Sequence, residues 1–419
     1  VNLGHVIALD PTDKQANALA RACGVARFTY NWALAEWQKQ FKAGLKPSSN
    51  GLKKQFNQIK REQFPWVVES PRDANSQPFA DLGQAFSNFF SSLKGKRKGQ
   101  KVRYPTFKKK GQQDSFYVAN DKFSLRSRGK RGVVRLPVIG DVRTMEQLRW
   151  QGKILSGRVT RRADRWYLSV AVEVPDALAD RRATNKVARR PGIGVDLGIK
   201  TAVVLSDGSS LDAPTPLKKS LRQLRRANRK LHRRKSGGQN RQKARLIVAR
   251  LHQRVASVRK DFWNKVTTRL CRENQTIVVE DLSMGFVLKN RRLARAASDS
   301  ALGMFRPMLT YKAKLHGTEI VVADKFFPST QLCSRCHERK ISDDKLELGD
   351  STYICAKCGL VIDRDFNASL NLEQYPRLEG NWQRVLRTPM DDRASTRRSR
   401  RASSVAEVGT NQCALVRTN

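Results

Sequence analysis

Acidic residues are scarce in this chain. Its 37 Asp and Glu stand against 82 Lys and Arg, a formal net charge of +45. That balance lies far outside ordinary globular values. A chain so charged repels itself without a polyanion, so nucleic acid is the expected partner. Long apolar runs are missing as well. No stretch is long enough to span a bilayer, and no amphipathic lipid-binding helix stands out, so no membrane role is expected. The opening VNLGHVIALDPT lacks the basic start and apolar run of a secretory signal. A disulfide framework is absent too. Of seven cysteines, four form two C-x-x-C pairs, while Cys23, Cys271 and Cys413 stand alone. This is a metal pattern in a reducing compartment. With 419 residues the chain has room for about three domains.

Three short pieces each bring one acid: GIGVDLGIKTAV around Asp196, TIVVEDLSM around Glu280, and CGLVIDRDFNASLNL around Asp365. Ile193 and Val195, then Ile277, Val278 and Val279, are brief β-branched runs that read as buried strands. A carboxylate at such a strand end is unfavourable unless it is paired or binds a metal. Thr201 to Leu205 reads as a second strand, turned by Asp207-Gly208. Asp365 opens a helix expected over Asn367 to Tyr375. Each acid alone reads more simply as a turn or cap residue. Together, two strand acids and a helix acid can converge, and such hard oxygen ligands suit Mg²⁺ or Mn²⁺.

Along the chain, residues 3–10 read as a strand and residues 14–93 as a helical block. Its expected helices are Lys14 to Cys23, Ala26 to Phe41 with Phe28, Trp32, Leu34, Trp37 and Phe41 as core, a basic helix after a loop within Lys46 to Pro65, and Gln77 to Leu93. Ala80, Leu82, Phe86, Phe89 and Phe90 give the last a broad apolar face. A basic loop, KGKRKGQKVRYPTFKKKG, leads into five expected strands: Ser115 to Val118, Lys122 to Leu125, Val133 to Leu136, Lys153 to Thr160 and Trp166 to Val174. These predict a small barrel that the first strand completes. A polar linker spans 175–190, and a basic helical region runs from Lys218 to Leu270, broken at Gly237-Gly238. Ile247, Leu251, Val255, Val258, Phe262, Val266 and Leu270 form its apolar repeat, and its crowded Arg and Lys faces read as a phosphate-backbone surface. After Glu280 come LKNRR at 288–292, a helix from Ala301 to Leu315 and a strand from Glu319 to Ala323. Residues 380–419 are polar and basic without apolar period and read as disordered.

Cys333-x-x-Cys336 and Cys355-x-x-Cys358 flank a polar loop. Two such knuckles complete a closed four-thiolate zinc site, structural because no coordination position is left open. Cys336-His337 also satisfies the haem-attachment pattern, but the second C-x-x-C argues against haem. The ribbon ends just ahead of Asp363 and Asp365, placed to clamp or cover the acid site.

The blocks GVARFTYNWAL, YPTFKKKG, LPVIGDV, GVDLGIK, VVEDLSM, FRPMLTYKAKLHG, FPSTQLCSRC and CGLVIDRDFNAS stand in one order over nearly the whole chain. In these it resembles the TnpB (OrfB) family of insertion-sequence proteins, relatives of the type V CRISPR effectors. The resemblance implies an RNA-guided DNA endonuclease of a transposable element with a multidomain α/β and α+β fold. Residues 1–13 and 94–185 correspond to a wedge β-barrel, 14–93 to an inserted helical recognition domain, and 186–325 with 360–379 to a RuvC-type, RNase H-like nuclease. Residues 326–359 correspond to the zinc ribbon and 380–419 to a disordered basic tail.

The resemblance further implies that Asp196, Glu280 and Asp365 hold two Mg²⁺ ions, with Mn²⁺ as a substitute, and cut both strands of double-stranded DNA at one site. Cys333, Cys336, Cys355 and Cys358 would hold one structural Zn²⁺. Asp363 stands as a supporting candidate. The guide RNA would come from the transposon end, a short adjacent DNA motif would be read by protein, and a separate transposase of the same element would work alongside. The expected place is the cytoplasm of a bacterium or archaeon, at the nucleoid. Gln77 is either a base-edge contact to that motif or a polar residue at a helix start. Tyr104 is either an RNA-stacking residue or packing, and Phe107 is expected to pack. His337 stands where the family usually has Gly, and NASLNL departs from its NAAxNI. Two other readings compete: an RNA-guided DNA-binding repressor without cleavage, and a strand-transferring transposase. The ribbon placement and the absence of a paired-His and Tyr signature argue against the second.

Overall fold

The computed structural model describes residues 1–97, 99–129, 131–175, 189–199, 201–281, 290, 293–341, 344–347 and 349–378. Residues 176–188 of the expected linker, the LKNRR stretch apart from Asn290, and the tail at 380–419 lie outside the described residues. Among the described residues two compact units share the chain: those within 1–175, 214–266 and 315–317 form the first, and those within 189–213, 267–314 and 318–378 the second.

In the first unit, strand β1 (Asn2–Asp10) ends at a capping box, where the Thr12 side chain accepts from Gln15 N and the Gln15 side chain accepts from Thr12 N. Helix α1 (Asp13–Lys42) then runs unbroken through Gly24, in place of the two helices expected. A mid-helix glycine costs only about 1 kcal/mol. Here Ala22, Cys23, Val25 and Ala26 on either side are buried, which offsets it. Helices α2 (Ser49–Gln63) and α3 (Arg72–Leu93) pack against α1 through aromatic pairs, Trp32 with Phe56 at 4.8 Å and Trp37 with Phe86 at 4.2 Å between centroids. Phe41, Ala80 and Phe90, expected in the core, are exposed.

The start of α3 departs from expectation. Pro78 looks like a first-turn residue, yet it lies inside the helix. The preceding turn is held because the Asp73 carboxylate accepts from Ala119 N at 2.8 Å and Ala74 and Asn75 are buried. Gln77 therefore sits within the helix, its amide donating to Asp81 at 3.2 Å. Tyr104 meets Phe86 and Phe89 edge-on, each at 5.4 Å. Phe107 is 49% exposed, against the expectation that it packs. The reason is a clamp: Lys108 N donates to the Asn31 side chain, which donates back to Lys108 O. Lys108 lies over the Tyr30 ring and Phe107 is left at the surface.

Seven antiparallel strands follow the order β2-β6-β7-β1-β5-β4-β3. The others are β2 (Ser115–Ala119), β3 (Ser124–Arg128), β4 (Arg131–Leu136), β5 (Gly140–Thr144), β6 (Lys153–Arg162) and β7 (Arg165–Glu173). β1 is central, between β7 and β5. Among the described residues the hydrogen-bonded ladder does not close as a complete barrel would. β2 and β3 stand at its two ends, joined by the 3-10 turn Asn120–Lys122. β5 is absent from the expected strands, because GDVRT carries a single large apolar residue. Helices α4 (Pro216–His232) and α5 (Gln239–Glu273) flank the expected break, with Gly237 at φ +80°. Along α4, Arg222, Arg225, Arg226, Arg229 and Lys230 are the basic face. On α5, Val255 is buried as expected, whereas Ile247 and Val258 are exposed.

The second unit is built on a five-stranded sheet of order β10-β9-β8-β11-β12. β8 (Arg190–Asp196), β9 (Thr201–Leu205) and β10 (Ser210–Asp212) form an antiparallel meander that turns at Gly208, φ +84°. β11 (Asn274–Val279) runs parallel to β8 and to β12 (Glu319–Val322). Helices α6 (Ala294–Ser300), α7 (Phe305–His316) and α8 (Arg364–Leu378) follow, with a small hairpin of β13 (Thr352–Ile354) and β14 (Val361–Asp363) just ahead of α8. Among the described residues no helix is long and apolar enough to cross a membrane.

Candidate active site

β8 and β11 are parallel and in register, with Val195 opposite Val279. Asp196 and Glu280 are the next residues, so two acids leave adjacent strand ends side by side. Helix α8 supplies the third. It crosses β8 at Gly194, where a side chain is impossible: a Cβ would lie 1.9 Å from Ser369 O and 2.5 Å from Glu373 N. That backbone-to-backbone approach brings the first turn of α8, with Asp365, to the same strand end.

The electrostatics record this convergence. Asp196 is only 8% exposed. Burial, then the neighbouring Glu280 and Asp365 carboxylates, hold its carboxyl well above the ordinary value. Burial also raises Glu280; the Ser329 hydroxyl that donates to it works the other way, and Asp365 adds to the rise. Arg364 partly balances the site, its Nε donating to Asp365 at 3.1 Å. Three carboxylates converging in this way form a site short of positive charge, which a divalent cation bound by hard oxygens would satisfy. Asp363 plays a different part: its Oδ1 accepts from Phe366 N at 2.9 Å and caps the start of α8.

Among the described residues, the four thiols of Cys333, Cys336, Cys355 and Cys358 are the only group of three or more metal-ligating side chains with ligand atoms all within 4.8 Å. Cys333 and Cys358 lie 3.6 Å apart, as do Cys336 and Cys355. A tetrahedron with Zn–S of about 2.3 Å has edges of about 3.8 Å, so the thiols fit that ion. Each knuckle closes alike, with His337 N donating to Cys333 O and Gly359 N to Cys355 O, both at 2.9 Å. Both turn residues have positive φ, +58° for His337 and +66° for Gly359. His337 thus occupies a conformation that favours glycine.

Sequence reading misses the residues joining this ribbon to the acid site. Asn367 Nδ2 donates to Leu332 O at 2.7 Å, and its Oδ1 accepts from Ser334 N at 3.0 Å. Asn371 Nδ2 reaches Ser329 O at 2.8 Å and Leu332 O at 2.6 Å. Gln374 pairs with His337 Nε2 at 2.7 Å and donates to Ser334 O. The usable signal is the spacing of Asn367, Asn371 and Gln374 along one helix face. Arg306 of α7 is missed too; it donates to Glu280 O at 3.2 Å. Gln77 and Tyr104 belong to the first unit, on and against α3.

Residues 168–291 match the OrfB family of the IS605 type, described as "Probable transposase". Residues 303–372 match "Cas12f1-like, TNB domain", and residues 1–46 a "Helix-turn-helix domain" family. A Streptomyces pristinaespiralis protein named "Putative RNA-guided DNA endonuclease" is 35% identical over 369 residues, 86% of each chain. A Mycobacterium tuberculosis protein of the same descriptive name is 33% identical over 400 residues, covering 88% of this chain and 85% of the relative. Among solved structures, the protein of a Cas12f1-sgRNA-target DNA complex superposes with a TM-score of 0.50 at 14% identity, over 86% of this chain and 83% of that one. At that identity the likeness is one of fold.

Proposed function

This chain belongs to the TnpB (OrfB) family, and from that premise we propose that it is an RNA-guided DNA endonuclease of a transposable element. The observation that carries the reading is the convergence of Asp196, Glu280 and Asp365 at adjoining strand and helix ends, where burial first and the neighbouring carboxylates next raise the proton affinity of Asp196, and burial that of Glu280. In this reading residues 186–325 with 360–379 are the RuvC-type, RNase H-like nuclease and 326–359 its zinc ribbon. Residues 1–13 with 94–185 and 14–93 are the wedge and recognition domains. The names of the relatives support an endonuclease, and a net charge of +45 supports a nucleic-acid complex.

Bound at the three acids, two Mg²⁺ or Mn²⁺ ions would supply a water nucleophile at neutral pH and neutralise the leaving oxygen. The chain's own part is to hold three oxygen donors at fixed strand and helix ends. Asp196 is set by the sheet, Asp365 by the first turn of α8, and Glu280 by Arg306 on its carbonyl and Ser329 on its carboxylate. The Arg and Lys of α4 suit guide RNA or DNA phosphates. Base pairing with a guide from the transposon end reads the target, while protein reads the adjacent motif, with Gln77 as the proposed base contact. Tyr104, packed against two phenylalanines, keeps a partly exposed ring for RNA. A separate transposase would move the element.

The test is cleavage by the complex purified with RNA from its own downstream flank. The substrate is a plasmid library bearing the guide-matched target beside randomised bases, in Mg²⁺ or EDTA. Expected is Mg²⁺-dependent linearisation restricted to one flanking motif, lost in Asp196→Ala while motif-dependent retention persists. Retention without cleavage by the wild type would replace the nuclease with a guided repressor.

A further inference from the structure

Glu280 is the least supported of the three acids by secondary structure. It lies one residue beyond β11, outside the ladder that fixes Val279. Its side chain also has the most rotatable bonds of the three, so holding its carboxylate needs a partner. That partner is the Ser329 hydroxyl, which donates to Glu280 Oε1. Ser329 is buried, and its own carbonyl accepts from Asn371 Nδ2 at 2.8 Å. Asn371 is fully buried on α8, six residues and about 9 Å along the axis from Asp365.

We propose that Ser329 and Asn371 are positioning residues that set the Glu280 carboxylate for divalent-metal binding, working from the helix that carries Asp365. One rigid helix then places two of the three acids: Asp365 directly, and Glu280 through the Asn371 amide, the Ser329 backbone and the Ser329 hydroxyl. Asn371 also holds Leu332 O, one residue before the first zinc ligand, so the segment entering the ribbon is anchored by the same amide. Asn367 shares that Leu332 contact and takes Ser334 N, but does not touch Ser329. It is the internal control. The inference rests on the acid-site reading above.

Its test is Mn²⁺ binding to the guide-loaded full chain, followed by the EPR signal of free Mn²⁺, beside zinc content, guided DNA retention and cleavage. Partners that orient a metal ligand are commonly worth about 10- to 100-fold in metal affinity. Ser329→Ala should weaken Mn²⁺ binding by about tenfold or more, with cleavage recovering as Mn²⁺ is raised. Ser329→Thr keeps the hydroxyl and should stay within about threefold of wild type. Asn371→Ala should shift affinity in the same direction as Ser329→Ala, and Asn367→Ala should shift it clearly less than Asn371→Ala. Zinc content and DNA retention should hold in Ser329→Ala. The proposal is overturned by wild-type Mn²⁺ affinity in Ser329→Ala, by loss of zinc or DNA retention in that variant, or by an Asn367→Ala effect equal to that of Asn371→Ala. Asp196→Ala separates the two levels. If it binds Mn²⁺ like wild type, the acid site itself has been misread; if it does not, the outcome for Ser329 stands on its own.

Discussion

Gly194 and Ser369 are in backbone contact: a single added carbon on Gly194 would fall 1.9 Å from the Ser369 carbonyl oxygen. Neither partner can move aside, because one lies in a central strand and the other in a helix. Gly194→Ala should therefore lever α8 off the sheet and carry Asp365 away from Asp196. The expected cost is about 3 kcal/mol or more of stability, with guided cleavage lost. Gly192→Ala, in the same strand with nothing within 4 Å, should change stability by roughly 0.5 kcal/mol or less. Melting temperatures of the two variants beside their cleavage rates check this, and equal behaviour would remove Gly194 as the contact that seats the helix.

Zinc removal should act on cleavage. Cys358→Ser leaves three thiolates for a site that needs four. Zinc content measured by atomic absorption should fall to near zero. Guided cleavage should drop with it, since the segment leading into the first knuckle also holds Ser329 against Glu280. A variant that keeps one zinc per chain and full cleavage would contradict the four-thiolate site.

His337 sits at φ +58° with its ring on Gln374. His337→Gly relieves the left-handed backbone but gives up an exposed hydrogen bond, and these should offset to within about 0.5 kcal/mol. His337→Ala keeps the strain and loses only the bond, costing about 0.5 to 1.5 kcal/mol. The order of chemical-denaturation midpoints, with alanine lowest, is the check. Alanine at or above glycine would show that the backbone there is not strained.

The acid site gives metal-free protein a pH dependence of definite sign. The Asp196 and Glu280 carboxyls are raised in the fold, chiefly by burial. Between the ordinary carboxylate value and those raised values the folded chain binds more protons than the unfolded one. Stability from these groups is thus present at low pH and lost as pH rises through the window. Saturating Mg²⁺ should flatten the loss, because bound cation takes over from the proton. Melting temperature against pH, with and without Mg²⁺, tests this. Asp196→Asn should flatten the metal-free curve, and an unchanged slope in that variant would remove Asp196 as its source.

What the sequence made legible follows local physics. The β-branched runs before Asp196 and Glu280 form β8 and β11, and the two C-x-x-C pairs come together as four neighbouring thiols. What it hid was decided by partners distant in the chain. The parallel register of Val195 and Val279 joins residues 84 apart in sequence, and no local pattern encodes it. Gly24 stays helical and Pro78 lies inside α3 because surrounding packing outweighs their intrinsic preference. Ser329 and Asn371 look like turn and surface residues until the fold buries them together.

Helix α8 also works as a ruler. Asp365 must face the strand ends while Asn367, Asn371 and Gln374 face the knuckle. One residue inserted between Asp365 and Asn367 would turn one set against the other by about 100° and shift it by about 1.5 Å. No neighbouring side chain could repair that mismatch. Point changes along α8 can therefore accumulate in descendants of this gene, but a gained or lost codon between those positions cannot, and anyone trimming the protein for delivery must leave that interval at its present length.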